Sequence, residues 1–118
     1  AVSSENAGSI KTKMVVEAAN IPVTNNGDRI LVERGIPVIP DILANAGGVV
    51  VSYLEWASNH QRFAYPKSKV AEFLIQNLNS AWLEVYGTSE TENLSYRDAS
   101  YLISVNRVCK AMEMRGFF

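Results

Sequence analysis

A chain of 118 residues with 11 Lys+Arg against 12 Asp+Glu and 47% apolar residues is one ordinary domain or part of one, able to bury roughly two-thirds of its unfolded surface. A net charge of −1 gives no broad positive field, which argues against a nucleic-acid binder, since that function needs many phosphates neutralised by Lys and Arg. A single cysteine, Cys109, and a single histidine, His60, fit neither a disulfide scaffold nor a tetrahedral zinc module. Apolar runs such as Val49-Val50-Val51 fall far short of the roughly 20 residues that span a bilayer, so no membrane segment is expected. The first residues show no basic region leading into an apolar core, so no secretory leader is expected. With no disulfide required, the expected compartment is a reducing interior, the cytoplasm or the mitochondrial matrix.

Ser3 and Ser4, ahead of Glu5, Asn6 and Ala7, predict a short capped helix ending near Lys11. Residues 14–18 are β-branched at their centre and stopped by Asn20-Ile21-Pro22, which predicts a mostly buried strand; Lys11 and Lys13 in front of it read as solvent-exposed. Thr24 predicts the cap of a helix running to about Arg34, with Ile30, Leu31 and Val32 on its apolar side and Gly35 at its C-terminal stop. Residues 36–40 are apolar throughout and predict a second buried strand, where Pro37 suggests a strand end or an edge.

Strand, helix and strand within about 25 residues is the spacing of a βαβ crossover, which makes the strands parallel and puts the helix on one face. The fold class is therefore α/β. A helix is predicted from Asn45 to about Ser58, with Gly47-Gly48 as its weak start and Glu55 and His60 on its solvent side. Val70, Phe73, Leu74, Leu78, Ala81, Trp82 and Val85 recur at three- and four-residue spacing and predict a long amphipathic helix ending near Gly87. The polar, acidic residues 88–93 then read as a loop. A last helix begins near Ser95, buries a stripe of Ala99, Leu102, Ile103, Val105, Val108, Cys109 and Met112, and breaks at Gly116. Trp82 reads as core and Cys109 as an inert small apolar group. Two parallel strands are too few for a free-standing sheet covered on both faces, so the chain reads as the back end of a larger α/β domain.

The stretch from Pro40-Asp41 through Asn45-Ala46-Gly47-Gly48-Val49 to Ser52 follows a strand and opens a helix, where open α/β sheets bind ligands. At 100° per residue, Asn45, Val49, Ser52 and Trp56 fall within about 60° of one another on one helix face. Asn20 follows the first strand and shares the same sheet edge. A bland alternative stands beside this reading. The paired glycines can serve as a helix entry packed on a neighbouring strand, Ser52 can bond to its own helix, and Asn20 can be a turn residue bonding its own backbone.

Val16-Glu17-Ala18-Ala19-Asn20 with Pro22 and Thr24, then Val38-Ile39-Pro40-Asp41, then Asn45-Ala46-Gly47-Gly48-Val49-Val50-Val51-Ser52-Tyr53-Leu54-Glu55-Trp56, then Val105-Asn106-Arg107-Val108 with Arg115-Gly116, resemble the C-terminal part of glutamate dehydrogenase. The resemblance spans nearly the whole chain in order and spacing. It implies the second half of a Rossmann-like NAD(P)-binding domain over residues 1–62 and a closing helical segment over 63–118, ending in two long helices. It also implies oxidative deamination of L-glutamate to 2-oxoglutarate and ammonia with NAD or NADP, in a homo-oligomer, expected to be a homohexamer. By the same resemblance Asn20 and Asn45 lie against the nicotinamide and its ribose. Gly47 and Gly48 let cofactor and substrate approach the helix start, Val49 contacts the substrate side chain, and Ser52 hydrogen-bonds its γ-carboxylate. Leucine and phenylalanine dehydrogenases share the Asn-Ala-Gly-Gly pattern but tend to carry an apolar residue where Ser52 stands. In the family the last helix folds back towards the substrate domain, which would leave part of its stripe uncovered here and let Arg107 make interdomain salt bridges.

Members of the family also carry a Gly-rich phosphate turn followed by an acidic residue, and a substrate domain with catalytic lysines and an aspartate. None of these is in the chain, so turnover from these residues alone is not expected. Two rivals are a relative specific for leucine, phenylalanine or valine, and a non-catalytic oligomerising module.

Overall fold

The computed structural model describes residues 1–117. Among them, two short strands, β1 (Val15–Val16) and β2 (Val38–Ile39), pair in parallel with Val15 opposite Val38 and Val16 opposite Ile39. The connection between them is α1 (Asn25–Glu33), so the predicted βαβ unit is present. The Thr24 hydroxyl accepts from the Gly27 N–H at 3.2 Å and caps α1. Gly35, at φ 69°, ends it in a left-handed conformation that a residue with a Cβ reaches only at a cost.

Alternation along β2 divides the core. Val38 joins Ala7, Val23, Leu31 and Ile36 beneath α1, while Ile39 packs with Leu43, Val85, Ala99 and Trp82 on the opposite face. That second face is built by a one-turn helix α2 (Asp41–Ala44) and three longer ones, α3 (Gly47–Gln61), α4 (Lys67–Glu92) and α5 (Tyr96–Met114). The Ser95 hydroxyl accepts from the Asp98 N–H at 3.1 Å and starts α5, and Gly116 at φ 74° lies just beyond its end. Trp82 meets Tyr96 edge to face at 5.1 Å.

Five expectations are corrected. The predicted opening helix is a single 3-10 turn at Ala7–Ser9, because Asn6 closes back on the backbone of Ser3 and Ala1 instead of propagating the helix. The first strand is not mostly buried, since Val16 is 60% exposed and Met14 46%, while Pro37 does mark a strand end, standing just before β2 and giving its carbonyl to the Val15 N–H. The helix expected from Asn45 is divided into α2 and α3 by a turn at Asn45 and Ala46. Helix α4 does not stop at Gly87 and residues 88–93 are not a loop: α4 runs to Glu92 and ends at Asn93 in a left-handed cap. Val85 and Ser89, four residues apart, are buried and keep this last stretch on its neighbours while its polar residues point to water. Along α5 only Ala99 and Ser100 are buried; Leu102, Val105, Val108 and Cys109 are exposed, so Cys109 is not a core group.

The accessible surface is 8555 Å². A compact chain of this mass would expose roughly 6,300 Å². The radius of gyration is 17.0 Å, against roughly 13.5 Å for a compact domain of this length. Large apolar side chains lie exposed on this surface, among them Val49, Tyr53, Trp56, Phe63, Val105 and Val108. No helix among the described residues is long and apolar enough to cross a membrane.

Candidate functional site

The loops leaving β1 and β2 emerge on the same edge of the sheet, at the carboxyl ends of parallel strands. There the Asn45 side-chain Nδ2 donates to Asn20 Oδ1 at 2.7 Å and to the carbonyl of Ala18 at 3.3 Å. Asn20 is therefore tied across the sheet edge to Asn45 and not to its own turn. The remaining amide groups, Nδ2 of Asn20 and Oδ1 of Asn45, carry no hydrogen bond among the described residues. One donor beside one acceptor is the complement of a primary carboxamide, which itself presents one of each.

Asn45 lies outside α3, so it does not share a helical face with Val49, Ser52 and Trp56 as the periodicity predicted. Those three remain on one exposed stripe of α3, with Val49 74% exposed. The hydroxyls of Ser100 and Ser104 donate to carbonyls four residues back at 2.7 and 2.6 Å. Ser52 makes no such bond among the described residues, which leaves its hydroxyl available to a ligand. The paired glycines differ in surroundings. A Cβ on Gly47 would stand 3.3 Å from Leu74 Cδ1, so its bareness lets α3 approach α4, whereas a Cβ on Gly48 would meet nothing within 4 Å. Gly47 thus packs on a helix, not on a strand.

Behind this edge lies a charged cluster that sequence reasoning missed. Glu17, directly after β1, is 1% exposed, and its carboxylate receives both prongs of the Arg97 guanidinium, Nη1 to Oε2 at 3.1 Å and Nη2 to Oε1 at 2.6 Å. Arg97 Nη2 also reaches Asp28 Oδ1 at 3.0 Å, and Nη1 stands 3.9 Å from Asp41 Oδ1. Glu17 Oε2 accepts the Asp41 backbone N–H at 2.8 Å, which ties β1 to the residue that opens α2. Burial alone would lower the Arg97 pKa, but its hydrogen bonds with Glu17 and Asp28 outweigh this and hold it above its ordinary value. Its charge is therefore permanent. A carboxylate inside a run that reads as a buried strand was the available signal, because a buried Glu requires a cation or several donors.

Asp41 holds the turn beside Asn20. Its Oδ2 accepts the Ile21 N–H at 2.7 Å and its Oδ1 the Ile42 N–H at 2.8 Å. The Ile21 bond is the largest cause of a lowered Asp41 pKa; burial opposes it, and the Ile42 N–H and Arg97 add to it. Ile21 has φ 49°, a left-handed conformation that costs a β-branched residue roughly 1–2 kcal/mol. Its side chain is 83% exposed, so the Asp41 carboxylate, not packing, is the visible restraint on it. The remaining predicted residues lie apart from this edge. Lys11 and Lys13 are exposed, His60 lies in the last turn of α3 with Nδ1 3.2 Å from the Trp56 carbonyl, and Arg107 pairs with Glu84 between α5 and α4.

A parallel βαβ unit with polar groups gathered at the carboxyl edge and helices on both faces makes this an α/β protein, and that edge is where open α/β sheets generally bind ligands. The family model for glutamate/leucine/phenylalanine/valine dehydrogenase matches residues 1–116, and the chain belongs to that family. Glutamate dehydrogenase B of Halobacterium salinarum is 44% identical over 117 residues, covering 99% of this chain and 27% of the relative. An NAD-specific glutamate dehydrogenase of Staphylococcus aureus is 42% identical over 116 residues, covering 98% of this chain and 28% of the relative. Among solved structures, a glutamate dehydrogenase from Peptoniphilus asaccharolyticus superposes with a TM-score of 0.89 at 38% identity, over 99% of this chain and 30% of that one. A hetero-hexameric glutamate dehydrogenase from Thermus thermophilus, solved in a leucine-bound form, gives 0.91 at 26% identity over 98% of this chain and 28% of that one. The chain thus spans less than a third of the length of these relatives.

Proposed function

We propose that this chain is the C-terminal part of a glutamate dehydrogenase, and that the complete enzyme converts L-glutamate to 2-oxoglutarate and ammonia by NAD(P)-dependent oxidative deamination. Residues 1–62 form the second half of its Rossmann-like coenzyme domain, and residues 63–118 the helical segment that closes it. The observation that carries the reading is the Asn45–Asn20 hydrogen bond across the carboxyl edge of two parallel strands, which leaves one amide donor and one amide acceptor unpaired. These are the groups a nicotinamide carboxamide or a ribose hydroxyl pairs with.

Asn20 and Asn45 bind and orient the coenzyme at this edge. When bound, the nicotinamide supplies the acceptor for the hydride that leaves the α-carbon of glutamate. Gly48, with open space where a Cβ would stand, lets coenzyme and substrate approach the start of α3; Gly47 completes that close approach by seating the helix on α4. Val49 lines the substrate side chain, and the Ser52 hydroxyl donates to its γ-carboxylate. That hydroxyl also sets specificity, because a substrate ending in hydrocarbon leaves it desolvated and unpaired.

The NAD-specific name of the Staphylococcus relative favours NAD over NADP. The exposed apolar side chains fit a segment covered by the rest of its own chain and by further subunits in a homo-oligomer, in the cytoplasm or the mitochondrial matrix. The phosphate-binding turn and the catalytic lysines and aspartate that the resemblance implies are not among these residues, so no turnover is expected from the 118 residues alone. The test is coenzyme binding by the complete enzyme carrying Asn45→Ala, followed by NADH fluorescence. A roughly tenfold weaker Kd is expected for loss of an orienting hydrogen bond, and an unchanged Kd refutes the assignment.

A further inference from the structure

We propose that Arg97 is a positioning residue for the Asn20–Asn45 pair, acting through Glu17 and Asp41 rather than by touching a ligand. The inference rests on the reading of that pair as coenzyme-facing.

The connection is continuous from α5 to the sheet edge. The Ser95 cap fixes the first turn of α5 and with it the origin of the Arg97 side chain. Its planar fork grips both oxygens of Glu17, and Oε2 of that same carboxylate holds the Asp41 backbone N–H at 2.8 Å. The Asp41 side chain, 3.9 Å from Arg97 Nη1, in turn holds the N–H of Ile21 at 2.7 Å. Ile21 immediately follows Asn20 and sits at φ 49° with its side chain in solvent. A strained turn without packing relaxes once its restraint loosens, and relaxation there swings Asn20 away from Asn45.

The geometry also selects arginine over lysine. One guanidinium serves Glu17 twice and Asp28 once, so an ammonium carrying the same charge cannot hold all three oxygens in one plane. Among the groups facing Arg97, Glu17 follows β1, Asp28 lies in the first turn of α1 and Asp41 opens α2. A single side chain thereby fixes the three elements that frame the edge.

The test uses the complete enzyme with Arg97→Lys, Arg97→Gln and, as the direct probe of the pair, Asn20→Ala. Three quantities are read below the melting temperature of each variant: hydrogen exchange across residues 18–23 without coenzyme, the Kd for NADH, and KM for glutamate. Both Arg97 variants are expected to exchange the Ile21 amide severalfold faster while peptides from α4 exchange as before, and to raise the NADH Kd roughly tenfold with little change in glutamate KM. A purely structural arginine would instead lower the melting temperature and speed exchange throughout, leaving Kd unchanged in the folded enzyme. Unchanged Ile21 exchange in the Arg97 variants overturns the proposal. So does an unchanged NADH Kd in them while Asn20→Ala weakens binding. If Asn20→Ala itself leaves Kd unchanged, it is the coenzyme reading of the pair that fails. Should Arg97→Gln not assemble, Arg97→Lys and Asp41→Asn decide the matter by the same readouts.

Discussion

Asn45 and Asn20, 25 residues apart, are joined by a hydrogen bond of 2.7 Å from one amide to the other, Asn20 in the loop that leaves β1 and Asn45 at the end of α2, which follows β2. The bond fixes both side chains with their remaining donor and acceptor uncommitted. Asn20→Asp keeps an acceptor for Asn45 but removes the free donor and adds charge. The complete enzyme with this substitution is expected to bind NADH about tenfold or more weakly with an unchanged melting temperature, as read by fluorescence titration and calorimetry.

Ser52 offers a hydroxyl without a hydrogen-bond partner among the described residues, on the exposed stripe of α3. Ser52→Val in the complete enzyme is expected to lower kcat/KM for glutamate by roughly 10²-fold and to narrow its advantage over leucine. Steady-state kinetics with both amino acids measure this. Unimpaired glutamate turnover would remove Ser52 from the substrate site.

Gly47 and Gly48 are neighbours with opposite surroundings, and substitution separates them. Gly48→Ala places a methyl in open space and removes backbone freedom from the unfolded chain, so stability is expected to rise by about 0.5–1 kcal/mol while coenzyme affinity falls. Gly47→Ala pushes a methyl to 3.3 Å from Leu74 Cδ1, and displacement of that leucine offsets the gain. Thermal melts with NADH titrations on both variants distinguish a ligand-facing glycine from a helix-packing one.

Asp41 makes stability depend on acid. Its folded-state pKa is lowered from 3.8, first by the Ile21 N–H, so the folded protein prefers the ionised form more than the unfolded chain does. The contribution is complete above the unfolded value and is lost as pH falls through it to the depressed folded value. Asp41→Asn is therefore expected to unfold with a weaker pH dependence as pH falls below about 5, as followed by circular dichroism. An acid transition of unchanged steepness would show that Asp41 carries none of it.

Local signals in the sequence located most of the elements. Thr24 and Ser95 act as helix caps and Gly35 as a stop because each effect is decided within four residues of chain. The placement of Asn20 and Asn45 on one edge followed from parallel strands alone, since their loops must then leave the same side. The extension of α4 past Gly87 was hidden because polar residues 88–93 lack apolar periodicity, although buried Ser89 continues the stripe of Val85 and donates its hydroxyl to the Leu94 carbonyl at 2.7 Å. The grip of Arg97 on Glu17 bridges 80 residues, and no local pattern encodes a partner at that distance. The exposed stripe of α5 reads as core in sequence because periodicity shows that a face is apolar and not what covers it.

That uncovered surface leads to an expectation for the 118-residue chain by itself. Its accessible area of 8555 Å² exceeds the compact value by roughly 2,200 Å², and exposed Val49, Trp56, Phe63, Val105 and Val108 contribute to it. Excess area on this scale is comparable to a full protein interface, and the exposed apolar side chains within it drive association when nothing else covers them. Sedimentation is therefore expected to show species above 13.0 kDa that grow with concentration, in a sample that reduces neither NAD nor NADP with glutamate. A monomer at all concentrations would mean that the apolar helix faces rearrange to bury one another, and turnover in the same sample would place catalytic groups within these residues.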